Sequence, residues 1–289
     1  MDLFLTQLLN GLVYGVLLFL VAAGLALIFG LLGIVNLAHG SFFMLGGFVA
    51  LSIAAATGCF WLALLLAPVP IMLVAGLIEV VFLRRLYKRA PLDLVLLTFG
   101  LSFILTDITE TIWGKELASL AEPHGLDGPV AILGNAFPAY RLALLGFGFA
   151  CAVAMWLVLE RTRAGSMVRA GVDDAQTAMN IGLNVPRLRT ITFALGAGLA
   201  ALAGVIAGPI LGVFSGVDVE VLIPAFIVVS IGGLGSLRGA LVGSLVIGFA
   251  DTLGKAYLPS LSMFLVYLAM IGILLVRPHG LFGSDPAGG

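Results

Sequence analysis

Long apolar runs broken by short polar interruptions make up this chain, and the longest run comes almost first. The 76 residues from Leu3 to Ile78 contain no Asp, Glu, Lys or Arg. A helix crosses a bilayer with about 20 apolar residues, so this run holds several crossings. Dividing the chain at turn residues and charges predicts about nine helical segments, near 7–30, 40–57, 60–83, 93–113, 141–159, 190–212, 222–234, 238–255 and 260–276. The seventh is short for a full crossing. A short, Gly-rich apolar segment reads as a broken or re-entrant helix, tolerated only where protein or a water-filled cavity surrounds it. The alternation that a transmembrane β-barrel requires is missing. The pattern predicts an all-α, polytopic integral membrane protein with one transmembrane domain over residues 1–289.

Composition strengthens that reading. Hydrophobic residues are 61% of the chain and charged residues 10%, where a soluble domain carries about 25% charged residues. Mean hydropathy is +1.20. A net charge of −1 leaves no broad basic field for nucleic acid. Cys59 and Cys151 sit in apolar runs without metal-ligand spacing and read as small core residues. The first apolar stretch is too long for a cleavable signal, and Asp2 precedes it in place of a basic flank.

The basic residues set the orientation. Arg84, Arg85, Lys88 and Arg89 follow the third segment, and Arg161, Arg163, Arg169, Arg187 and Arg189 follow the fifth. Nine crossings put these on one face with Arg238 and Arg277, leaving Lys115, Arg141 and Lys255 on the other. The N-terminus is therefore expected outside and the C-terminus in the cytoplasm. Residues 114–140 become an external loop and residues 160–189 a cytoplasmic one.

Within the cytoplasmic loop, Asp173 to Ile181 reads as a short helix with acidic residues at its start and Gly182 as its stop. Such a helix either docks into a groove on another protein or lies on the membrane as a spacer. The segment NLAHGS places Asn36, His39 and Ser41 at the cytoplasmic end of the first crossing. They either line a gate or translocation path, or cap helix ends at a tight turn. Gly232, Gly233 and Gly235 either unwind to line a passage or permit close helix packing. Asp107 and Glu110 share a helix face near its outer end and reach either a substrate ammonium or the headgroup layer. Asp218 and Glu220 fall in an external connection, and Asp251 and Lys255 form an i,i+4 pair. No G-x-x-x-x-G-K sequence followed by Ser or Thr occurs, so the chain lacks that nucleotide cradle. No catalytic or metal-binding set of residues is visible, and no enzyme activity or cofactor is expected of this chain.

Several stretches carry a resemblance to a known family. ERTRAGSMVRAGVDDAQTAMNIGLNVPRLRT (160–190) and the following FALGAGLAALAGVIAGP resemble the coupling-loop region of branched-chain amino-acid ABC transporter permeases. The agreement runs through Arg161, Thr162, Arg163, Gly165, Arg169, Ala170, Asp174, Ala178, Gly182 and Asn184. The first span with NLAHG, LTFGLSFILTDITETIWG from Leu97, IPAFIVVSIGGLGSLRGALVGS from Ile223 and LLVRPHGLFG from Leu274 match in order and spacing. The likeness covers nearly the whole chain and fits the LivH-type subunit. Ser41 departs from it, since many members with amino-acid substrates carry glutamate there.

The resemblance implies a multi-pass permease subunit of an ATP-driven importer in a bacterial inner membrane. Its partners would be a second related permease, two ATP-binding subunits carrying ATP and Mg, an extracytoplasmic solute-binding protein and the lipid bilayer. The solute would be a branched-chain or related amino acid, with urea, short amides and aromatic acids as alternatives. Arg169, Ala170, Asp173, Asp174, Ala178 and Gly182 would carry the ATPase coupling. The rival from another class is an ATP-independent secondary transporter or channel. That rival requires ionisable residues near mid-depth or paired broken helices, and the sequence places no carboxylate at mid-depth.

Overall fold

A computed structural model describes residues 2–132 and 135–283. Among the described residues eleven α-helices, besides a short 3-10 turn at Pro259–Leu261, carry the chain. They are α1 (Asp2–Leu32), α2 (His39–Thr57), α3 (Phe60–Leu86), α4 (Pro91–Trp113), α5 (Ala139–Arg161), α6 (Arg163–Asp173), α7 (Ala175–Asn180), α8 (Val185–Leu211), α9 (Val217–Gly232), α10 (Leu237–Tyr257) and α11 (Ser262–Val276). Eight of the helical stretches are long and apolar enough to cross a membrane. The short seventh segment of the sequence is α9, 16 residues with Pro224 inside it. One departure from the all-α expectation is a small antiparallel hairpin, β1 (Pro129–Ile132) with β2 (Asn135–Pro138). It lies between α4 and α5 and marks what is called here the hairpin end of the bundle. The loop end carries α6 and α7.

α1 is the central helix, with 78% of its apolar window buried, and it packs on α10, α8, α9 and α5. α2 and α8 cross closely because both lack side chains at the crossing. A Cβ on Gly46 would overlap the Ala201 backbone, and one on Gly204 would overlap the Phe43 carbonyl. Small residues of this kind replace the hydrophobic drive that lipid removes. At the periphery, α5 has 11% of its window buried and the α11 stretch none. Their apolar side chains face outward, toward lipid or another subunit. Both cysteines are free, and Cys59 is exposed in the turn before α3 instead of serving the core.

Candidate functional site

α1 stops at Leu32, where Gly33 takes φ 65° and its amide bonds back to the Phe29 carbonyl at 2.8 Å. The following residues do not leave the bundle. They return along α1, and α2 begins with His39, whose Nε2 lies 3.0 Å from the Val21 carbonyl oxygen. Val21 is about 16 Å from the end of α1 at the helical rise. Residues 33–36 carry the chain back without helix, 37–38 form a turn, and the His39 side chain completes the reach.

Non-helical backbone inside such a bundle must find polar partners. Thr98 of α4 accepts the Leu37 amide at 3.2 Å, and the Asn36 Oδ1 accepts the Ala38 amide at 3.1 Å. Asn36, His39, Ser41 and Thr98 are all fully buried. The expected position of Asn36, His39 and Ser41 at the end of the first crossing is therefore corrected. A return segment and a terminal turn have the same residue pattern; only the partner carbonyl on α1 distinguishes them.

A second break approaches from the hairpin end. α8 ends at Leu211, and Val213 pairs with Ala118 through two backbone bonds of 2.8 and 2.9 Å. Gly216, at φ 105°, then starts α9. Asp218 follows in the first turn of α9 and is only 5% exposed. This too is a correction: the sequence assigned Asp218 to a solvated connection. Its Oδ2 lies 3.3 Å from the Ser41 hydroxyl and 3.1 Å from that of Thr106. Thr106 also reaches the Ser102 carbonyl at 2.9 Å, so its single proton serves one acceptor at a time. A Cβ on Gly40 would overlap the Asp218 backbone, which is why the two segments meet at a glycine.

Two helix N-termini thus converge on one carboxylate. Neither start has a side-chain cap, and the free amides of both favour negative charge there. Three polar atoms in the two segments are buried without a partner: Asn36 Nδ2, His39 Nδ1 and Asp218 Oδ1. A proton on His39 Nε2 serves Val21 and leaves Nδ1 as a bare acceptor. The arrangement can exchange hydrogen bonds with small polar groups, and it changes shape if α2 and α9 shift.

The glycine candidates lie elsewhere. Gly232 rests on the Gly239 backbone, and Gly235 on Gly30, where a Cβ would come 2.9 Å from the Gly30 Cα. Gly233 is covered by residues 282 and 283, because the Leu281 and Phe282 amides bond to the Ile231 and Gly232 carbonyls at 2.8 and 2.9 Å. These are tight backbone packings at the loop end, and none joins His39 or Asp218.

At the loop end the expected helix over 173–181 is α7, and a further helix, α6, precedes it. Asp174 separates the two, because its Oδ1 accepts the Gln176 and Thr177 amides at 2.9 and 3.0 Å and caps α7. The Thr177 hydroxyl, bonded to the same carboxylate, holds the Asp174 carboxyl below the usual range. Gly182, at φ 92°, stops α7 as expected, and the Leu183 amide bonds to the Ala178 carbonyl at 3.0 Å. Ala178 is buried. Asp173 closes α6, and Ala170 accepts the Asp174 amide at 3.2 Å. Arg169 donates to the Leu159 carbonyl and pairs with Glu160 at 3.7 Å, which Arg238 meets at 3.4 Å.

Sequence reasoning missed Glu79. It is fully buried in a π-helical turn, Glu79–Leu83. Arg84 at 3.2 Å, the Tyr87 hydroxyl at 3.0 Å and the Thr190 hydroxyl at 2.6 Å surround it. Arg189 stacks over Tyr87 at 5.0 Å. The signal was present: one carboxylate closes the charge-free run just ahead of a basic cluster. At the hairpin end, Glu110 accepts from Ser215 at 2.6 Å and pairs with Lys115 at 3.0 Å. Asp107 is exposed, and the Asp251–Lys255 pair forms as expected at 2.7 Å.

Comparison with known proteins adds a family. A family profile described as the permease component of branched-chain amino acid transport systems matches residues 7–274. The high-affinity branched-chain amino acid transport system permease protein LivH of Escherichia coli K12 is 30% identical, covering 97% of this chain and 96% of its own. The corresponding protein BraD of Pseudomonas aeruginosa is 28% identical, with the same coverage of 97% and 96%. A probable branched-chain amino acid transport permease protein LivH of Methanocaldococcus jannaschii is 29% identical, covering 96% and 91%.

Proposed function

The chain belongs to the permease family of branched-chain amino acid transport systems, and on that premise we propose that it is a membrane-spanning subunit of an ATP-driven importer for branched-chain or related amino acids. The observation that carries this reading is the extent of the likeness, which runs through the whole bundle from the first span to the last. The subunit does no covalent chemistry in this reading. It lies in a bacterial inner membrane with its N-terminus outside, and residues 114–140 face the extracytoplasmic solute-binding protein.

A second permease of related fold completes the path, and the apolar outward faces of α5 and α11 support such a neighbour. Two ATP-binding subunits supply ATP and Mg. Residues 160–189 form the mechanical link to them through α6 and α7, with Arg169, Ala170, Asp173, Asp174, Ala178 and Gly182 as the coupling positions. The Glu160 ion pairs at the start of this loop, and the Arg84 bond to the Pro186 carbonyl and the Arg189–Tyr87 stacking at its far end, support the assignment, because a link that transmits motion must be anchored. The meeting of α2 and α9 at Asn36, His39, Ser41 and Asp218 is the gate. As the ATPases close and open, movement of these two helix starts exposes the path to one side and then the other. Gly232, Gly233 and Gly235 serve as packing points beside it.

One observation favours a different class. Paired broken helices around a buried carboxylate are also the architecture of ATP-independent carriers. Gentle purification of the tagged chain from its native membrane separates the two. The importer reading expects an ATP-binding subunit and a second permease to copurify, with ATP hydrolysis in the complex. It also expects Ala178→Pro to abolish uptake while the subunit still inserts. A folded chain that purifies alone and transports without ATP overturns it in favour of the carrier.

A further inference from the structure

Two cavities at the hairpin end join into one recess, because both are lined by Tyr14, Leu17, Leu211 and Lys255. The first, about 370 Å³, has a polar wall that includes Gln7, Asn10, Arg141, Asp251 and Thr252. The Arg141 guanidinium there bonds to Asn10 at 2.8 Å. The second, about 220 Å³, is different in kind. Its wall is aliphatic and aromatic, with Leu18, Phe43 and Val221 among its residues, and it carries one carboxylate, Glu220, and one ammonium, Lys255. It also reaches Val21, whose carbonyl holds His39, and Val217, which precedes Asp218. The chamber therefore ends on the meeting point of the two broken helices.

The charges are not consumed by each other. Among the described residues Glu220 takes part in no ion pair. Lys255 pairs with Asp251 at 2.7 Å, but an ammonium has three donors and that bond uses one. A site with few placed polar groups in an apolar wall fixes a ligand's orientation through those groups. One anion, one cation and an aliphatic lining answer to the ammonium, the carboxylate and the side chain of an aliphatic amino acid.

We propose that the chamber between α1, α8, α9 and α10 is a solute-binding site of this subunit, holding a zwitterionic aliphatic amino acid just ahead of the gate. Glu220 takes the ammonium, Lys255 the carboxylate, and Leu18, Phe43 and Val221 the side chain. The site rests on the importer reading and adds a selectivity step inside the membrane subunit.

The test uses the complete importer in nanodiscs without its solute-binding protein, titrated with L-leucine. Two analogues accompany it: leucinamide, which lacks the carboxylate, and 4-methyl-2-oxopentanoate, which lacks the ammonium. Leucine should bind at least about tenfold more tightly than either, since a site built around a polar group rejects a ligand lacking it. Glu220→Gln should erase the advantage over the oxo acid, and Lys255→Met the advantage over the amide. Because Lys255→Met also frees Asp251, a Val221→Cys variant supplies a second readout. Its thiol should be protected from a small alkylating reagent by leucine and by neither analogue. Equal affinities and no protection, in a complex that imports leucine once the binding protein is added, overturn the chamber alone. A complex that imports no branched-chain amino acid even with its binding protein overturns the importer reading, and the chamber with it.

Discussion

Charge is handled in opposite ways at the loop end and around the centre of this bundle. At the loop end Glu79, Glu160 and Asp174 each have a cation or a capped amide. Glu79 is closed in by Arg84, Tyr87 and Thr190, Glu160 lies between Arg169 and Arg238, and Asp174 caps α7. The hairpin end has its pairs too, Glu110 with Lys115 and Asp251 with Lys255, but at the start of α9 Asp218 keeps one oxygen without a partner and Glu220 faces a chamber without an ion pair. Paired charges tie elements into one rigid piece, whereas unpaired ones remain able to meet something that arrives. The difference separates a part held by its own charges from a part whose charges are left open.

Breaking the strongest tie gives the largest effect. Arg84→Met leaves Glu79 buried without its cation; loss of one partner of a fully buried pair costs about 3–5 kcal/mol, and with Arg84 itself 38% exposed the loss here falls at or below the low end of that range. Thermal denaturation of the detergent-solubilised chain should show that loss, together with loosening of α3 from the start of α8. An unchanged midpoint would mean that the loop end is not held by this cluster. Next comes the centre. Gly40→Ala forces a methyl into the Asp218 backbone, and overpacking of this kind costs about 1–3 kcal/mol. Uptake per folded complex should fall further than stability does, because α2 and α9 are pushed apart where they meet. Equal falls would reduce the site to a packing contact.

Smaller effects sharpen the contrast. Arg238→Met removes a pair that is largely solvent-exposed, 69% at the arginine, and should cost under about 1 kcal/mol in the same denaturation assay. A loss as large as that of Arg84→Met would erase the distinction between buried and exposed ties. The least effect concerns pH. The Asp174 carboxyl is held below its ordinary range, so its cap is in force above the unfolded value. That contribution is lost as pH falls through the depressed folded value. Amide exchange at Gln176 and Thr177 should therefore gain its extra openings only on the acid side of the ordinary aspartate range. Sidedness is checked with single cysteines: Ser119→Cys should react with an impermeant reagent added outside, and Ser166→Cys should not. Reversed labelling would invert the assignment of the two ends.

Much of this was legible in the sequence, for a physical reason. Lipid demands long apolar runs, so the spans, the shortness of α9, the basic loop end and the stop at Gly182 all follow from residue type and order. The centre was not legible. NLAHGS and GVDVE contain the turn residues of ordinary connections, and nothing local says that each chain segment turns back inward. The partners that make the return possible, Val21, Thr98 and Thr106, are distant in sequence and ordinary in type. Asp218 was misplaced for the same reason: a carboxylate beside two glycine turns looks solvated until the opposing helix start is known. Asp174 stands at the start of its helix as the sequence implied, but the preceding α6 was not legible, because its polar, Gly-containing residues carry no apolar run.

The bonds from Leu281 and Phe282 to the end of α9 bear on the order in which the protein is made. Ile231 and Gly232 leave the ribosome before α10 and α11, and their carbonyls receive these donors only after both later helices have been threaded into the bilayer. Until then the end of α9 lacks these two donors. The C-terminal end of α9 therefore gains its last backbone bonds only once every helix of the bundle is in place.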